Sequence, residues 1–460
     1  MDYLLKNATI VNEGSLCEAS IYISDGKIAN IVPAAEQTEM PARVQGETID
    51  AQGYLVLPGV IDTHVHFRDP GMTEKADFAT ESRAAAAGGV TSVIDMPNTI
   101  PQTTTLPLLQ QKEAMAAEKS VVNYGFMLGA TNDNIDELIA IDPKRYAAIK
   151  LFLGSSTGNM LVNDTSRLDH LFKNSRKLIM AHCEEESIIQ ANTKLYKAEF
   201  ANTDKENTSL HPKIRNTEAC YVSTYKAIER AMKYGTRLHI AHISSATELN
   251  MFGNRTLAEK KITAEVTPNH LWFDDRDYAE LGNLIKCNPS IKSNNDRLAL
   301  WAALYDGLID TIGSDHAPHT WESKQKRYFE APSGIPSIQH TLMMMLESCY
   351  NPASVHTDMI QTWLPLIVEK MCHNPATLFG IEKRGFIRKG YYADLVMIRT
   401  GTEHVVSKEG LFYKCGWSPL EGKTFHTSIE KTFVNGDIAY DASEPEHAFK
   451  NKGMPLAFSA

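Results

Sequence analysis

Short apolar runs alternate with helix-like stretches through the middle of the chain, from residue 56 to residue 378. Such alternation is typical of βαβ units that build a parallel sheet. The helix-like stretches include 78–87, 217–233 and 296–308. The apolar runs lie at 56–63, 92–96, 124–128, 147–153, 178–181, 238–241, 262–266 and 311–313. Eight such units fit a (β/α)8 barrel, the TIM-barrel form of the α/β class, better than an open doubly wound sheet.

Both ends of the chain instead show short alternating runs with tight turns. Asp25-Gly26 and Asn435-Gly436 each separate two strand-like runs, which is the pattern of a β-hairpin. Neither end has enough strands to bury a sheet face alone. We therefore predict a small composite β-sandwich domain from residues 1–55 and 379–460, beside a barrel domain at 56–378. The loop-rich stretch 197–215 is expected to lie over the mouth of the barrel.

Composition narrows the functional classes. Of 460 residues, 43% are hydrophobic, which supplies a large core, and the net charge of −10 argues against nucleic-acid and anionic-membrane partners. No apolar run reaches the roughly 18 residues of a spanning helix, and the N-terminus does not resemble a signal peptide. Seven scattered cysteines form no Cys-x-x-Cys pair, so neither a disulfide framework nor a thiolate zinc site is expected. We predict a cytoplasmic protein.

Polar residues of catalytic type follow the apolar runs, where a barrel has its active site. The first run ends in Asp62-Thr63-His64-Val65-His66. Side chains two apart on a strand share a face, so His64 and His66 can reach one metal ion. A His-x-His pair alone also fits two surface histidines. Its position at the end of a predicted barrel strand favours metal ligands.

Lys150 lies inside the apolar run 147–153, and lysine is almost never buried without a partner. One interpretation is a rim lysine whose amine extends to water. The other is a carboxylated lysine, in which a desolvated, partly neutral amine captures CO2 and the resulting carbamate bridges two cations. Beside the two histidines, we favour the carbamate.

Three further candidate ligands end later runs: His182, His242 and Asp315. By strand parity, we expect their neighbours to face the helices rather than the metal; these neighbours are Cys183, His239 and His316. Two histidines, a shared lysine, two more histidines and an aspartate offer nitrogen and oxygen donors without thiolate. Such donors suit Zn²⁺, with Mn²⁺ or Co²⁺ as plausible replacements.

Three motifs carry a resemblance to a known family. They are His64-Val65-His66-Phe67-Arg68-Asp69-Pro70-Gly71, Met96-Pro97-Asn98-Thr99 and Asp315-His316-Ala317-Pro318-His319. With them the whole chain resembles the cyclic-amidase branch of the amidohydrolase superfamily, and within it the dihydroorotases of the carboxylated-lysine type. The resemblance implies two Zn²⁺ per subunit, bridged by carboxylated Lys150 and a hydroxide, and a homodimer.

The resemblance also implies a substrate and roles for further residues. Dihydroorotases interconvert N-carbamoyl-L-aspartate and (S)-dihydroorotate in pyrimidine biosynthesis. Asp315 then serves as the catalytic acid and base as well as a metal ligand. The residues that would hold the substrate carboxylate are Arg68, Asn98 and His319. Those that would hold its ureide edge are Asn288, Ser333 and Gly334.

Alternatives remain open at this point. Arg68 fits a rim salt bridge to Asp69 or Glu74, worth only about 0–1 kcal/mol. A planar guanidinium just past a metal ligand is better explained by carboxylate recognition. Hydantoinases, dihydropyrimidinases and allantoinases share the metals, but their substrates lack that carboxylate. A catalytically dead relative acting as a structural subunit typically loses metal ligands, and none is missing here.

Overall fold

The computed structural model describes residues 2–39, 46–154, 160–200, 207–354, 357–445 and 448–459. Its strands are β1 (Tyr3–Asn12), β2 (Ser15–Ser24), β3 (Lys27–Pro33), β4 (Glu47–Asp50), β5 (Tyr54–Pro58), β6 (Val60–Val65), β7 (Val90–Asp95), β8 (Asn123–Phe126), β9 (Leu128–Gly129), β10 (Ile149–Phe152), β11 (Ile179–His182), β12 (Leu238–Ile240), β13 (Ile262–Val266), β14 (Thr311–Ile312), β15 (Leu395–Val405), β16 (Thr424–Val434) and β17 (Asp437–Asp441).

The helices lie mainly between the strands of the middle region. They are α1 (Phe78–Ala87), α2 (Leu106–Lys119), α3 (Ile135–Ala140), α4 (Thr165–Asn174), α5 (Glu186–Glu199), α6 (His211–Ile214), α7 (Thr217–Tyr234), α8 (Ala246–Leu249), α9 (Pro268–Trp272), α10 (Tyr278–Leu281), α11 (Asn294–Tyr305), α12 (Trp321–Lys324), α13 (Thr341–Tyr350), α14 (Ile360–Val368) and α15 (Asn374–Phe379). Within the described ranges, no helix is long and apolar enough to cross a membrane.

Strands from both ends of the chain form one sheet, as the sequence predicts. Its order is β17-β16-β15-β5-β1-β2-β3, with β4 also paired to β1. The two predicted hairpins are present, and their turns touch: a Cβ on Gly26 would lie 2.7 Å from the carbonyl oxygen of Asn435. Gly26 and Gly436 both have positive φ, at 74° and 82°. Glycine is therefore favoured at these turns for its backbone conformation, and at Gly26 also for the close approach.

The sheet pairing differs from the predicted domains in one boundary and in the form of the end sheet. The predicted first barrel run, 56–63, is split: β5 pairs with β1 and β15 in the end sheet, and the parallel sheet begins with β6. All eight strands of the end sheet are connected by hydrogen bonds, where the sequence suggested a two-layer sandwich. This sheet has an apolar core of its own, which includes Leu5, Ile21, Leu395 and Phe433.

The middle region has the predicted alternation of parallel strands and helices. One sheet has the order β6-β7-β8 and the other the order β14-β13-β12-β11-β10-β9. Strands β8 and β9 are separated by a single residue, and the amide of Ala147, just before β10, donates to Phe126 of β8 at 2.9 Å. At the other end, the amide of His66 donates to the carbonyl of His316 at 2.8 Å, next to a parallel bridge between Val65 and His316. These contacts connect the two sheets on both sides.

The last described residues contact the middle region rather than the end sheet. The amide of Tyr124 in β8 donates to Met454 at 3.0 Å, and the amide of Leu456 donates back to Tyr124 at 2.8 Å. Leu456 and Phe458 pack in a core cluster with Met180 and Phe379. Backbone pairing therefore places this segment, predicted as part of the end domain, along the parallel strands.

The structure describes only part of the loop that was predicted to lie over the mouth of the barrel. Residues 201–206 lie outside the described part of the chain. On either side, α5 extends to Glu199, and residues 208–214 form short helical turns instead of an extended loop. Beyond them, Arg215 pairs with Glu184, two residues past the end of β11.

Candidate metal centre and substrate site

Three of the predicted ligands meet at the ends of β6 and β14. Asp315 Oδ1 lies 3.3 Å from His64 Nε2 and 3.1 Å from His66 Nε2. His64 and His66 share a face because they are two apart, and Asp315 follows the neighbouring strand. All three groups are held within ion-pair distance by strand ends, which is the arrangement predicted for them.

His182 and His242 approach the same place from β11 and β12. His182 Nδ1 lies 2.9 Å from His242 Nε2, and the ring centroids of His64 and His242 are 5.3 Å apart. One donor atom each from His64, His242 and Asp315 lies within 4.8 Å of the others, so this group could hold a metal ion. The structure thus brings together all five histidine and aspartate positions that the sequence singled out.

The outer nitrogens of three of these histidines are held by further side chains. Glu265 Oε1 lies 2.6 Å from His64 Nδ1, Asn98 Oδ1 lies 2.8 Å from His66 Nδ1, and Glu184 Oε2 lies 2.9 Å from His182 Nε2. Carboxylate or amide partners of this kind fix the orientation and tautomer of metal-binding histidines. The rings are therefore oriented before any ion binds.

Sequence reasoning missed Glu265 and Glu184. A signal was present for Glu265, because a glutamate inside the apolar strand β13 is fully buried and needs a partner. Burial raises the pKa of Glu265 to about 7, against the opposing effects of His239 and Lys150. For Glu184, burial raises the pKa, but Arg215 and His182 together bring it down to about 2. Glu184 is therefore an ionised partner that faces His182.

Lys150 is buried in β10, with 1% of its surface exposed. It pairs with Met180 of β11, and its Nζ forms no hydrogen bond or ion pair with a described residue. Burial lowers the pKa of Lys150 to about 8, although the carboxylates of Glu265 and Asp315 oppose the shift. The rim alternative, in which the amine extends to water, is therefore wrong.

The charge states of the converging side chains suit a cation. Burial lowers the pKa of His64 to about 3 and that of His66 to about 4, so both rings are neutral at pH 7. For Asp315, burial would raise the pKa, but His64 and His66 hold it below its ordinary value. Neutral imidazoles and an ionised carboxylate are the forms that bind metals.

The parity predictions are confirmed at two positions and wrong at one. Cys183 packs in the cluster that includes Ala227 of α7, and His316 Nε2 lies 2.7 Å from Glu81 of α1. His239, in contrast, bonds to Thr263 Oγ1 at 2.8 Å and Thr311 Oγ1 at 3.2 Å, inside the parallel strands. A positive φ of 40° at His242 breaks the alternation, so His239 and His242 face the same side.

Arg68 lies beside the candidate metal centre and is only 6% exposed. Its Nε donates to the carbonyl of Pro318 at 3.2 Å, and its terminal NH2 lies 3.3 Å from His319 Nε2. Asp69 pairs with Lys119 at 2.7 Å, and Arg68 forms no salt bridge with a described carboxylate. Burial lowers the pKa of Arg68 to about 10, which leaves it charged at pH 7. The rim salt bridge to Asp69 or Glu74 is therefore wrong.

The other predicted substrate residues lie around Arg68 and the metal centre. His319 Nε2 lies 3.0 Å from the carbonyl of Ser333, and the Gly334 amide donates to Lys286 at 2.8 Å, two residues before Asn288. Asn288 Oδ1 is buried without a hydrogen bond to any described residue. A Cβ on Gly334 would lie 2.3 Å from the carbonyl oxygen of Ala317, so only glycine fits there. Asn98 contacts the centre through His66.

Comparison with known proteins agrees with this geometry. A family model described as the amidohydrolase family matches residues 55–439. The chain is 32% identical to a dihydroorotase from Methanosphaera stadtmanae, over 90% of this chain and 94% of the relative. It is 29% identical to an allantoinase from Salmonella choleraesuis, over 97% of this chain and 96% of the relative.

A solved structure supports the same relationship. The L-hydantoinase (dihydropyrimidinase) from Arthrobacter aurescens superposes with a TM-score of 0.87 and 28% identity, covering 99% of this chain and 98% of that one. The fold is therefore an α/β fold of the TIM-barrel type with an additional β-rich region, and the site is a possible His/Asp metal site. The chain belongs to the amidohydrolase family.

Proposed function

We propose that the protein is a dihydroorotase, which interconverts N-carbamoyl-L-aspartate and (S)-dihydroorotate. The observation that carries this proposal is Arg68, a buried guanidinium beside the candidate metal centre that forms no salt bridge with a described carboxylate. A buried, unpaired charge is costly, by several kcal/mol, so a site retains one where a ligand supplies the opposite charge. Dihydroorotate carries a carboxylate beside its ring, and bidentate pairing with arginine is a strong form of carboxylate recognition.

Two zinc ions fit the donors that converge at the site. His64, His66 and Asp315 would hold one ion, His182 and His242 the other, and Lys150 would bridge them as a carbamate. Neutral imidazole nitrogens and carboxylate oxygens without thiolate are typical of catalytic zinc. When bound, such ions lower the pKa of water to about 7 and polarise the amide carbonyl.

The carbamate of Lys150 would form by addition of its side-chain amine to CO2. The neutral amine attacks the carbon of CO2, an N–C bond forms, and one amine proton is released, which leaves an anionic carbamate. Support comes from the burial of Lys150 and its lowered pKa, which favour the neutral amine. The cations that the carbamate bridges would in turn stabilise its charge.

The chain's own residues position the substrate and move the proton. Arg68 and His319 bind the carboxylate, together with Asn98, and the segment around Asn288, Ser333 and Gly334 binds the ureide edge. Asp315, which lies 3.1 Å from His66 Nε2, accepts a proton from the attacking water and passes it to the leaving ring nitrogen. In the ring-closing direction the same carboxylate works in reverse, as microscopic reversibility requires.

The proposal also includes the closure of the barrel, the division into domains and the assembly of the protein. We place the parallel strands β6 to β14, with β8 and β9 counted as one, in a closed barrel of eight. This is supported by the hydrogen bond from His66 to His316 and by the single residue that separates β8 from β9. We also propose that the barrel and the sheet built from both chain ends are separate domains. The assembly expected from the resemblance is a homodimer.

The rival activities are those named for the relatives, namely allantoinase and hydantoinase. Their neutral ring substrates leave Arg68 without a partner, which separates them from dihydroorotate on physical grounds. The test is a parallel assay of the zinc-loaded protein with dihydroorotate, hydantoin, dihydrouracil and allantoin. We expect dihydroorotate to be preferred in kcat/KM by about three orders of magnitude. Preference for a neutral ring would overturn the proposal and leave the metal centre intact.

A further inference from the structure

Two buried lysines, Lys286 and Lys324, lie behind the segment that carries Ser333 and Gly334. Lys324 is 1% exposed and Lys286 is 7% exposed, although lysine is seldom buried to this extent. No carboxylate of the described residues lies within ion-pair distance of Lys324 Nζ. Its burial is therefore not explained by a salt bridge.

Lys324 uses its ammonium group to connect two backbone segments. Its Nζ donates to the carbonyls of Gly334 at 2.9 Å, Pro332 at 3.1 Å and Lys286 at 3.2 Å. A lysine ammonium has three N–H donors, so all of them end on peptide carbonyls. One acceptor lies two residues before Asn288, and the other two lie on either side of Ser333.

Lys286 contacts the middle of the same loop. Its Nζ donates to the carbonyl of Tyr328 at 2.6 Å and to that of Ala331 at 2.5 Å, and it lies 4.4 Å from the centre of the Tyr328 ring. Its own carbonyl accepts both the Gly334 amide and Lys324 Nζ. Lys286 thus holds the middle of the loop 324–334, and Lys324 holds its C-terminal end.

We propose that Lys324 and Lys286 are positioning residues that hold the loop 324–334 against residues 286–288, and so keep Asn288 and the Ser333–Gly334 backbone in place for the substrate. This inference rests on the proposed function, because that function assigns the ureide edge to these atoms. Neither lysine contacts the reacting atoms. Their effect is expected on substrate binding rather than on the chemical step.

The geometry explains why ammonium groups suit this position. Burial lowers the pKa of Lys324 to about 7, whereas the three carbonyl acceptors favour its protonated form, which alone has three N–H donors. A buried carbonyl left without a donor is destabilised. Replacing Lys324 by methionine keeps the length and apolar stem of the side chain but removes every donor. The three carbonyls then lose their common partner, and the loop can move away from Asn288.

The experiment compares Lys324→Met with Lys326→Met, which alters an exposed lysine on the same loop. Both zinc-loaded variants are assayed with dihydroorotate, and amide hydrogen exchange is measured across residues 325–334. For Lys324→Met we expect at least a tenfold rise in KM, less than a threefold change in kcat, unchanged zinc content and faster exchange at Gly334. The Lys326→Met variant should match the wild type in all four measurements.

Several results for Lys324→Met would contradict the positioning role. Unchanged KM and unchanged exchange in Lys324→Met would overturn the inference, as would a fall in kcat with KM unaltered. If Lys324→Met does not fold, Lys324→Gln, which retains two donors on a shorter side chain, takes its place; failure of both to fold assigns the lysine to stability alone and contradicts the positioning role. A wild type that does not turn over dihydroorotate refutes the proposed function instead, and the exchange measurement still tests the loop.

Discussion

Replacing Arg68 by methionine tests the substrate assignment without altering any candidate metal ligand. In the free protein the guanidinium forms hydrogen bonds with two described residues, Pro318 and His319, whereas arginine has five N–H donors. A substrate carboxylate would accept two more, as a bidentate pair. Charge-assisted hydrogen bonds contribute about 1.5–3 kcal/mol each, so the joint loss of two is worth about 3–6 kcal/mol.

That free energy predicts a specific kinetic change. Since about 1.4 kcal/mol is a factor of ten, kcat/KM for dihydroorotate should fall by about 10²–10⁴ in Arg68→Met, chiefly through KM. Binding of neutral rings such as dihydrouracil should improve, because no buried charge is then left unpaired. The assay is steady-state kinetics with dihydroorotate, together with inhibition constants for the neutral rings.

Two controls keep the result interpretable. Arg255→Met removes the same group from an exposed position and should leave every constant unchanged. Zinc content of Arg68→Met should equal that of the wild type, because Arg68 is not a metal ligand. Unaltered dihydroorotate turnover in Arg68→Met would refute the reasoning and, with it, the assignment of the substrate.

Three further predictions concern the metal centre. Lys150→Ala should lose zinc and activity. Wild-type protein stripped of metal by a chelator should regain activity on addition of zinc only when bicarbonate is present. Full activity of Lys150→Ala, or regained activity without bicarbonate, would contradict the carbamate. Asp315→Asn should keep the fold and lower kcat by about 10²–10⁴, the usual effect of a positioned acid–base group, with loss of zinc indicating that its ligand role dominates. His316→Ala should stay active when folded and zinc-loaded, because its ring faces Glu81; an inactive, zinc-replete variant would show that the ring serves the chemistry.

The convergence of His64, His66, His182, His242 and Asp315 could be predicted because parallel strands carry their ends to one edge. Polar residues at the ends of successive apolar runs therefore meet, whatever their separation in the chain. The hairpins at Asp25-Gly26 and Asn435-Gly436 could also be predicted, because their turn residues determine the local geometry.

Other features were not predicted, because they depend on local backbone geometry or on contacts between distant residues. The prediction for His239 assumed regular alternation, and a single positive φ at His242 cancels it. Glu184 follows the end of β11, where a carboxylate is ordinary, and only its contact with His182 gives it significance. The split between β5 and β6 falls at Pro58-Gly59, a turn signal that the prediction of one run over 56–63 overlooked.

The sheet shared by both ends of the chain has a consequence for synthesis on the ribosome. Strand β5 ends at Pro58, and its partner β15 begins at Leu395. At roughly 5–20 residues per second, β5 waits for roughly 20–70 s with an unpaired edge. An open strand edge is a template for pairing with other chains. We therefore expect the nascent chain to be most prone to aggregation, and to chaperone binding, while the middle region is being made.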